Sequence, residues 1–113
     1  MNLRPGEIVF ADTAYGRRPA IVVSREPLNR GDTVVVVFCT TAKLSTRSSL
    51  PNCVAFQSGE FGLTKVCVAQ CETIQMIEKQ YLAPQSIGML DDQKLREVIR
   101  AAGSVMNSEC EPA

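Results

Sequence analysis

Apolar and polar positions follow a short period over the first eighty residues and a longer one near the C-terminus. "EIVFAD" (7–12) sets Ile8 and Phe10 against Glu7, Val9 and Asp12, the two-residue repeat of a strand. "AIVVS" (20–24) and "TVVVVFC" (33–39) are β-branched runs that suit strands buried on both faces. Between them "LNRGD" supplies hairpin-type punctuation at Asn29 and Gly31. "TTAKLSTRSSLPN" (40–52) is polar and hydroxyl-rich, an exposed loop or weak edge strand. "CVAF" (53–56), "KVCVAQC" (65–71) and "ETIQMI" (72–77) complete the strands, with "SGEFG" as a turn before Leu63.

From Asp91 the apolar residues Leu95, Val98, Ile99, Ala102 and Met106 recur at helical spacing. Asp91 suits an N-cap, Leu90 is placed to staple against Leu95, and "NSECEPA" is expected to fray. The pattern predicts a mainly β chain with a C-terminal helix, folded as a small, strongly curved antiparallel barrel. No internal repeat interrupts it. At 113 residues the chain has room for one core, hence a single domain over 1–113.

Composition narrows the class. Apolar residues make up 45% of the chain, which argues against disorder, and the longest apolar run, "VVVVFC", is too short to cross a bilayer. The N-terminus carries no stretch resembling a signal peptide, so a soluble, cytoplasmic protein without a membrane partner is expected. Five cysteines, an odd number without a C-x-x-C pair, indicate neither a disulfide framework nor a zinc knuckle. Cys67 and Cys71, four apart, fall on one side of a strand. No metal site or cofactor is expected. Histidine is absent, so acid–base chemistry falls to carboxylates, thiols or hydroxyls.

The net charge is zero but uneven. Residues 17–65 hold seven basic side chains against three acidic, and the rest of the chain five against nine. Composition alone leaves two readings open: a cationic face for nucleic acid, or a solvated loop surface.

The polar groups at strand ends carry the candidate chemistry. In "GRRPAIVVS" (16–24) Pro19 fixes its own φ and pushes Arg18 towards an extended conformation, holding a guanidinium at the mouth of a strand. Thr40 and Thr41 leave the longest strand, Lys43 and Arg47 follow them, and Glu72 lies in an otherwise apolar strand region. Singly, each has a plain structural explanation. Together they suit internal cleavage of RNA, in which the 2′-hydroxyl attacks the adjacent phosphate. Glu72 would accept the proton, Arg18 would stabilise the phosphorane charge, and Thr41 would position a non-bridging oxygen.

The chain resembles the MazF/PemK-type toxins of bacterial toxin–antitoxin systems over nearly its whole length. The resemblance runs through "PGEIVFAD", "RRPAIVVS", "VVVVFCTTA", "LPNCVAF", "GLTKVCVAQCETIQMIEKQYL" and "IGMLDDQKLREVIRA", in that order. It implies an SH3-like, PemK/CcdB-like barrel that forms a homodimer. It implies a metal-independent endoribonuclease that cuts single-stranded RNA, leaves 2′,3′-cyclic phosphate and 5′-hydroxyl ends, and arrests translation. A cognate antitoxin with an acidic, flexible segment would occupy the RNA groove. The family's arginine before proline falls on Arg18, its threonine after the third strand on Thr41, and its later acidic residue on Glu72. Tyr15, Arg17, Thr40, Lys43, Arg47, Lys65, Gln70 and Thr73 are the residues expected to meet RNA.

Three departures stand out. The link "TAYGRR" (13–18) is short where many relatives have a longer loop. Thr73 stands where relatives commonly carry glutamine, and Gln75 where arginine is usual. Two alternatives follow on the same scaffold: a non-catalytic toxin of the gyrase-inhibiting CcdB type, or a degenerate nuclease that only binds antitoxin.

Overall fold

The apolar runs become strands that pair antiparallel throughout. In the computed structural model, which describes residues 2–106, β1 (Glu7–Thr13) pairs with β2 (Gly16–Val22), and β2 with β3 (Thr33–Thr40). β3 pairs with the long β5 (Cys67–Glu78), while β4 (Cys53–Phe56) and β6 (Leu82–Met89) flank β5 and β1. The sheet order is β4-β5-β3-β2-β1-β6. The expectation for "NSECEPA", Cys110 included, lies outside the described residues.

The sheet buries both faces, which is why β3 is an unbroken apolar run. Val37 and Cys39 join Ile8, Ile21 and Phe56 on one side, under the helix that follows β6. Val34, Val36 and Phe38 join Val9, Ala20 and Val22 on the other, with Leu3, Ile77 and Leu82. That helix, the last in the chain, covers Asp92–Gly103; Asp91 caps it by accepting from the Lys94 amide at 2.8 Å. Its buried residues are Val98, Ala101 and Ala102, with Leu95 partly buried beside them, and fully burying Val98 is worth about 1.5–3 kcal/mol. Ile99 and Met106, expected on that face, are exposed.

β4 and β6 do not pair, so the barrel is closed by packing instead. A 3-10 turn at Glu60–Gly62 lies against β6 so tightly that a Cβ on Gly88 would stand 1.9 Å from the Phe61 carbonyl oxygen. Phe61 itself takes a left-handed φ of 51°, a conformation costing a bulky residue about 1–3 kcal/mol. Its ring packs edge-on against Phe56, with centroids 6.1 Å apart, which offsets that cost.

Four local expectations change. β2 begins at Gly16 rather than residue 20, so Arg17, Arg18 and Pro19 belong to the strand. The turn at "LNRGD" is preceded by a short helix, α1 (Glu26–Asn29), which takes in its Leu28 and Asn29; Asn29 is buried and donates to the carbonyls of Leu3 (3.1 Å) and Ser24 (2.8 Å). Residues 40–52 hold a second one-turn helix, α2 (Leu44–Arg47), so the C-terminal helix is α3. The segments 65–71 and 72–77 are one strand with a register shift opposite Val37/Phe38. β6 carries Pro84, tolerated because it is an edge strand, and Gly88, where the 3-10 turn approaches.

Candidate active site

One end of the curled sheet opens into a pocket of about 450 Å³. The β1–β2 hairpin supplies one wall. Thr13 pairs with Gly16, leaving only Ala14 and Tyr15 in the loop, and the Thr13 hydroxyl donates to the Gly16 carbonyl at 2.6 Å. This tight turn projects Tyr15, 87% exposed, and sets Arg17 and Arg18 directly behind it. The Arg18 guanidinium lies over the Tyr15 ring, 5.9 Å from its centre.

The end of β3 supplies the second wall. Continuing the register of Ala20 with Phe38 places Arg18 beside Thr40, and both line the pocket with Thr41. The Thr40 hydroxyl accepts the Ala42 amide at 3.2 Å, and Arg47 donates to the Ala42 carbonyl at 3.1 Å. Thr40 and Arg47 therefore shape the chain on either side of Thr41, whose own side chain is exposed at the strand end. The loop after the 3-10 turn, through Thr64 and Lys65, makes the third wall, anchored by the contact of Gly62 and Gly88 with neighbouring backbone.

The pocket is cationic. Arg17, Arg18 and Lys65 line it, with the hydroxyls of Thr40, Thr41 and Thr64, and none of its described lining residues is acidic. The two arginines differ. Arg17 is ion-paired with Asp12 at 3.3 Å on the exposed hairpin, an interaction worth about 0–1 kcal/mol. Among the described residues no carboxylate pairs with Arg18, which leaves its charge for a ligand. Deeper in, Phe10, Pro19 and Leu63 form apolar surface beside two thiols, Cys39 and Cys67. Each thiol acts on the other: the neighbouring Cys39 lowers Cys67, while Cys67 and burial push Cys39 up.

The structure thus gathers Tyr15, Arg17, Arg18, Thr40, Thr41 and Lys65. It places Lys43, Arg47, Gln70, Glu72 and Thr73 outside the pocket lining. Val68 pairs with Thr40, and Glu72 lies four residues further along β5, in the bulge opposite Val37 and Phe38. There the exposed Glu72 carboxylate accepts from the Asn52 side chain at 2.5 Å. Gln70 sits between Phe38 and Cys53 in the middle of the sheet, and Thr73 in the bulge. Sequence reasoning missed Thr64 and the thiol pair. Thr64 had a readable signal, a hydroxyl between a turn and Lys65. The thiols had none, because their contact depends on the β3–β5 register. Among the described residues no group of three or more His, Cys, Asp or Glu side chains is arranged to hold a metal ion, and no helix is long and apolar enough to cross a membrane.

A family described as the PemK-like, MazF-like toxin of type II toxin–antitoxin systems matches residues 4–106. Among solved structures, the chain is similar to an endoribonuclease in complex with its cognate antitoxin from a Mycobacterial species. That match has 24% identity and a TM-score of 0.76, covering 90% of this chain and 92% of the other. The Mycobacterium tuberculosis toxin MazF-mt6 matches at 24% identity and a TM-score of 0.73, covering 87% and 93%. A MazE–MazF crystal structure from Deinococcus radiodurans matches at 18% identity and a TM-score of 0.75, covering 95% and 97%. At these identities the likeness speaks to the fold. No curated protein matches the chain by sequence.

Proposed function

The chain belongs to the PemK-like, MazF-like toxins of type II toxin–antitoxin systems, and from that premise we propose that it is a metal-independent endoribonuclease of single-stranded RNA. The observation that carries this reading is that Arg18, which pairs with no carboxylate among the described residues, shares with Thr41 a pocket whose described lining holds no acidic side chain. A phosphodiester seated there meets a guanidinium able to contact two oxygens at once and a hydroxyl able to donate to a third. When the 2′-hydroxyl attacks, the phosphorane gains negative charge, and Arg18 stabilises it without changing its own protonation. The P–O5′ bond then breaks, leaving a 2′,3′-cyclic phosphate and a 5′-hydroxyl. Arg17 and Lys65 hold flanking phosphates, and Tyr15 offers a face for a base.

For proton removal we propose an alternative to Glu72, the acceptor expected from the sequence. Glu72 lies outside the pocket lining with its carboxylate bonded to Asn52, so we place it beside the RNA strand rather than at the scissile phosphate. Three nearby cations favour ionisation of the 2′-hydroxyl, whose proton passes to solvent. The same cationic mouth suits an acidic antitoxin segment, which would block RNA by occupying it; the proposal includes a homodimer acting in the cytoplasm.

The test is to incubate purified protein with long single-stranded RNA in the presence of EDTA and to map the new ends. Internal cuts bearing 2′,3′-cyclic phosphates and 5′-hydroxyls are expected. No cleavage by folded protein across a broad RNA panel would point instead to a non-catalytic or degenerate toxin.

A further inference from the structure

Cys39 and Cys67 take no part in the chemistry above, yet they sit in the pocket that performs it. Cys39 pairs across the sheet with Ala69, so Cys67, two residues before Ala69, lies diagonally opposite on the same face. Both thiols line the pocket, and each shifts the other's protonation. We infer that Cys39 and Cys67 are a redox-modification site: hydrogen peroxide, or another small hydroperoxide, joins them as a disulfide across the pocket floor and so switches RNA cleavage off.

The chemistry balances. The Cys67 thiolate attacks one peroxide oxygen, the O–O bond breaks, and hydroxide leaves to become water, giving a sulfenic acid. Cys39 loses its proton and attacks that sulfur, expelling the second oxygen as water. Two thiols and one peroxide become one disulfide and two waters. The neighbouring Cys39 keeps Cys67 below its ordinary value, which favours Cys67 as the attacking sulfur. Both thiols are nearly buried, and a peroxide is small enough to meet them from the pocket of about 450 Å³ that they line together with hydroxyls and cations.

The consequence follows from the neighbours of each thiol. Cys39 directly precedes Thr40 and Thr41, and Cys67 lies two residues after Lys65. Closing two diagonal cross-strand sulfurs to a bond of about 2.05 Å draws these strand ends together. Thr41 and Lys65 shift against Arg18, and a shift of about 1 Å at a reacting centre can cost on the order of a hundredfold in rate.

The experiment exposes the dilute full-length protein to a graded series of hydrogen peroxide, then measures intact mass and maps the peptides without reduction. Expected is a loss of two hydrogens, with peptide fragmentation assigning the link to Cys39 and Cys67 rather than Cys71. A thiol reductant should restore the mass. RNA cleavage, the arm that rests on the ribonuclease reading, should fall at least about tenfold and return with the reductant. Cys39→Ala and Cys67→Ala should each abolish the link and the inactivation, while Cys53→Ala should keep both. Mapping of the wild type needs no variant to fold. A link elsewhere, or only sulfinic and sulfonic products, overturns the proposal whether or not the protein cuts RNA. A Cys39–Cys67 link that leaves cleavage unchanged overturns the switch. A link in a protein inactive in both states overturns the ribonuclease reading and leaves the modification site standing.

Discussion

The Arg18 guanidinium lies 5.9 Å from the centre of the Tyr15 ring, and Tyr15 is 87% exposed. The tyrosine has no core to serve. It shields one face of a cation from water and leaves the other turned to the pocket. The two-residue loop makes this possible, because a longer link would not hold residues 15 and 18 in register.

Replacing Tyr15 with alanine should therefore weaken RNA binding and spare stability. Loss of a stacking face typically costs about 1–3 kcal/mol, so KM should rise roughly tenfold with the thermal midpoint unchanged. Steady-state cleavage of a short RNA and a melting curve check both halves. A midpoint shift with unchanged KM would make the tyrosine structural.

Glu72→Gln separates the two positions considered for the proton acceptor. Because the carboxylate is bonded to Asn52 and lies away from the pocket, the variant should keep activity within about tenfold, whereas loss of a true general base costs about 10²–10⁴-fold. Single-turnover rates decide.

The 3-10 turn should prove as important to the site as to the fold. Gly88→Ala places a methyl 1.9 Å from the Phe61 carbonyl oxygen, so the turn must lift off β6. A loss of about 2–4 kcal/mol is expected in urea unfolding. Cleavage should fall even where the variant is folded, because Lys65 loses its anchored wall.

Alkaline pH should destabilise the protein through a buried thiol. Cys71 is pushed from an ordinary value of 9.0 up to about 12, first by burial and then by Cys53 and Glu72. The folded state thus holds its proton more tightly than the unfolded state. Its contribution is fully present below pH 9 and is lost as pH rises towards 12. One thiol can impose a slope of at most about 1.4 kcal/mol per pH unit. Denaturant midpoints between pH 8 and 10.5 should fall in wild type and fall less steeply in Cys71→Ala.

Much of this architecture was legible in the residues themselves. The β-branched runs of β2 and β3, and the helical spacing from Asp91 to Ala102, each needed only local periodicity. β6 was not legible, since Pro84 and Gly88 break the strand pattern and only the edge position and the approaching turn make them acceptable. Nor was Asn29, whose turn-like character concealed a buried cross-link to Leu3. In the site, Arg18 and Thr41 were legible because each abuts a strand end. The position of Glu72 outside the pocket lining was not, because it depends on how β5 pairs with β3 and on the bulge between them.

Arg18→Ala tests the central claim most directly. With folding verified by circular dichroism, its single-turnover cleavage of RNA in EDTA should fall at least about 10²–10³-fold, the cost of removing a group that stabilises transition-state charge. Arg18→Lys should recover only a small part of that loss, since an ammonium cannot make the two-point contact. Cleavage by Arg18→Ala at the wild-type rate, with the same cyclic phosphate ends, would contradict the account.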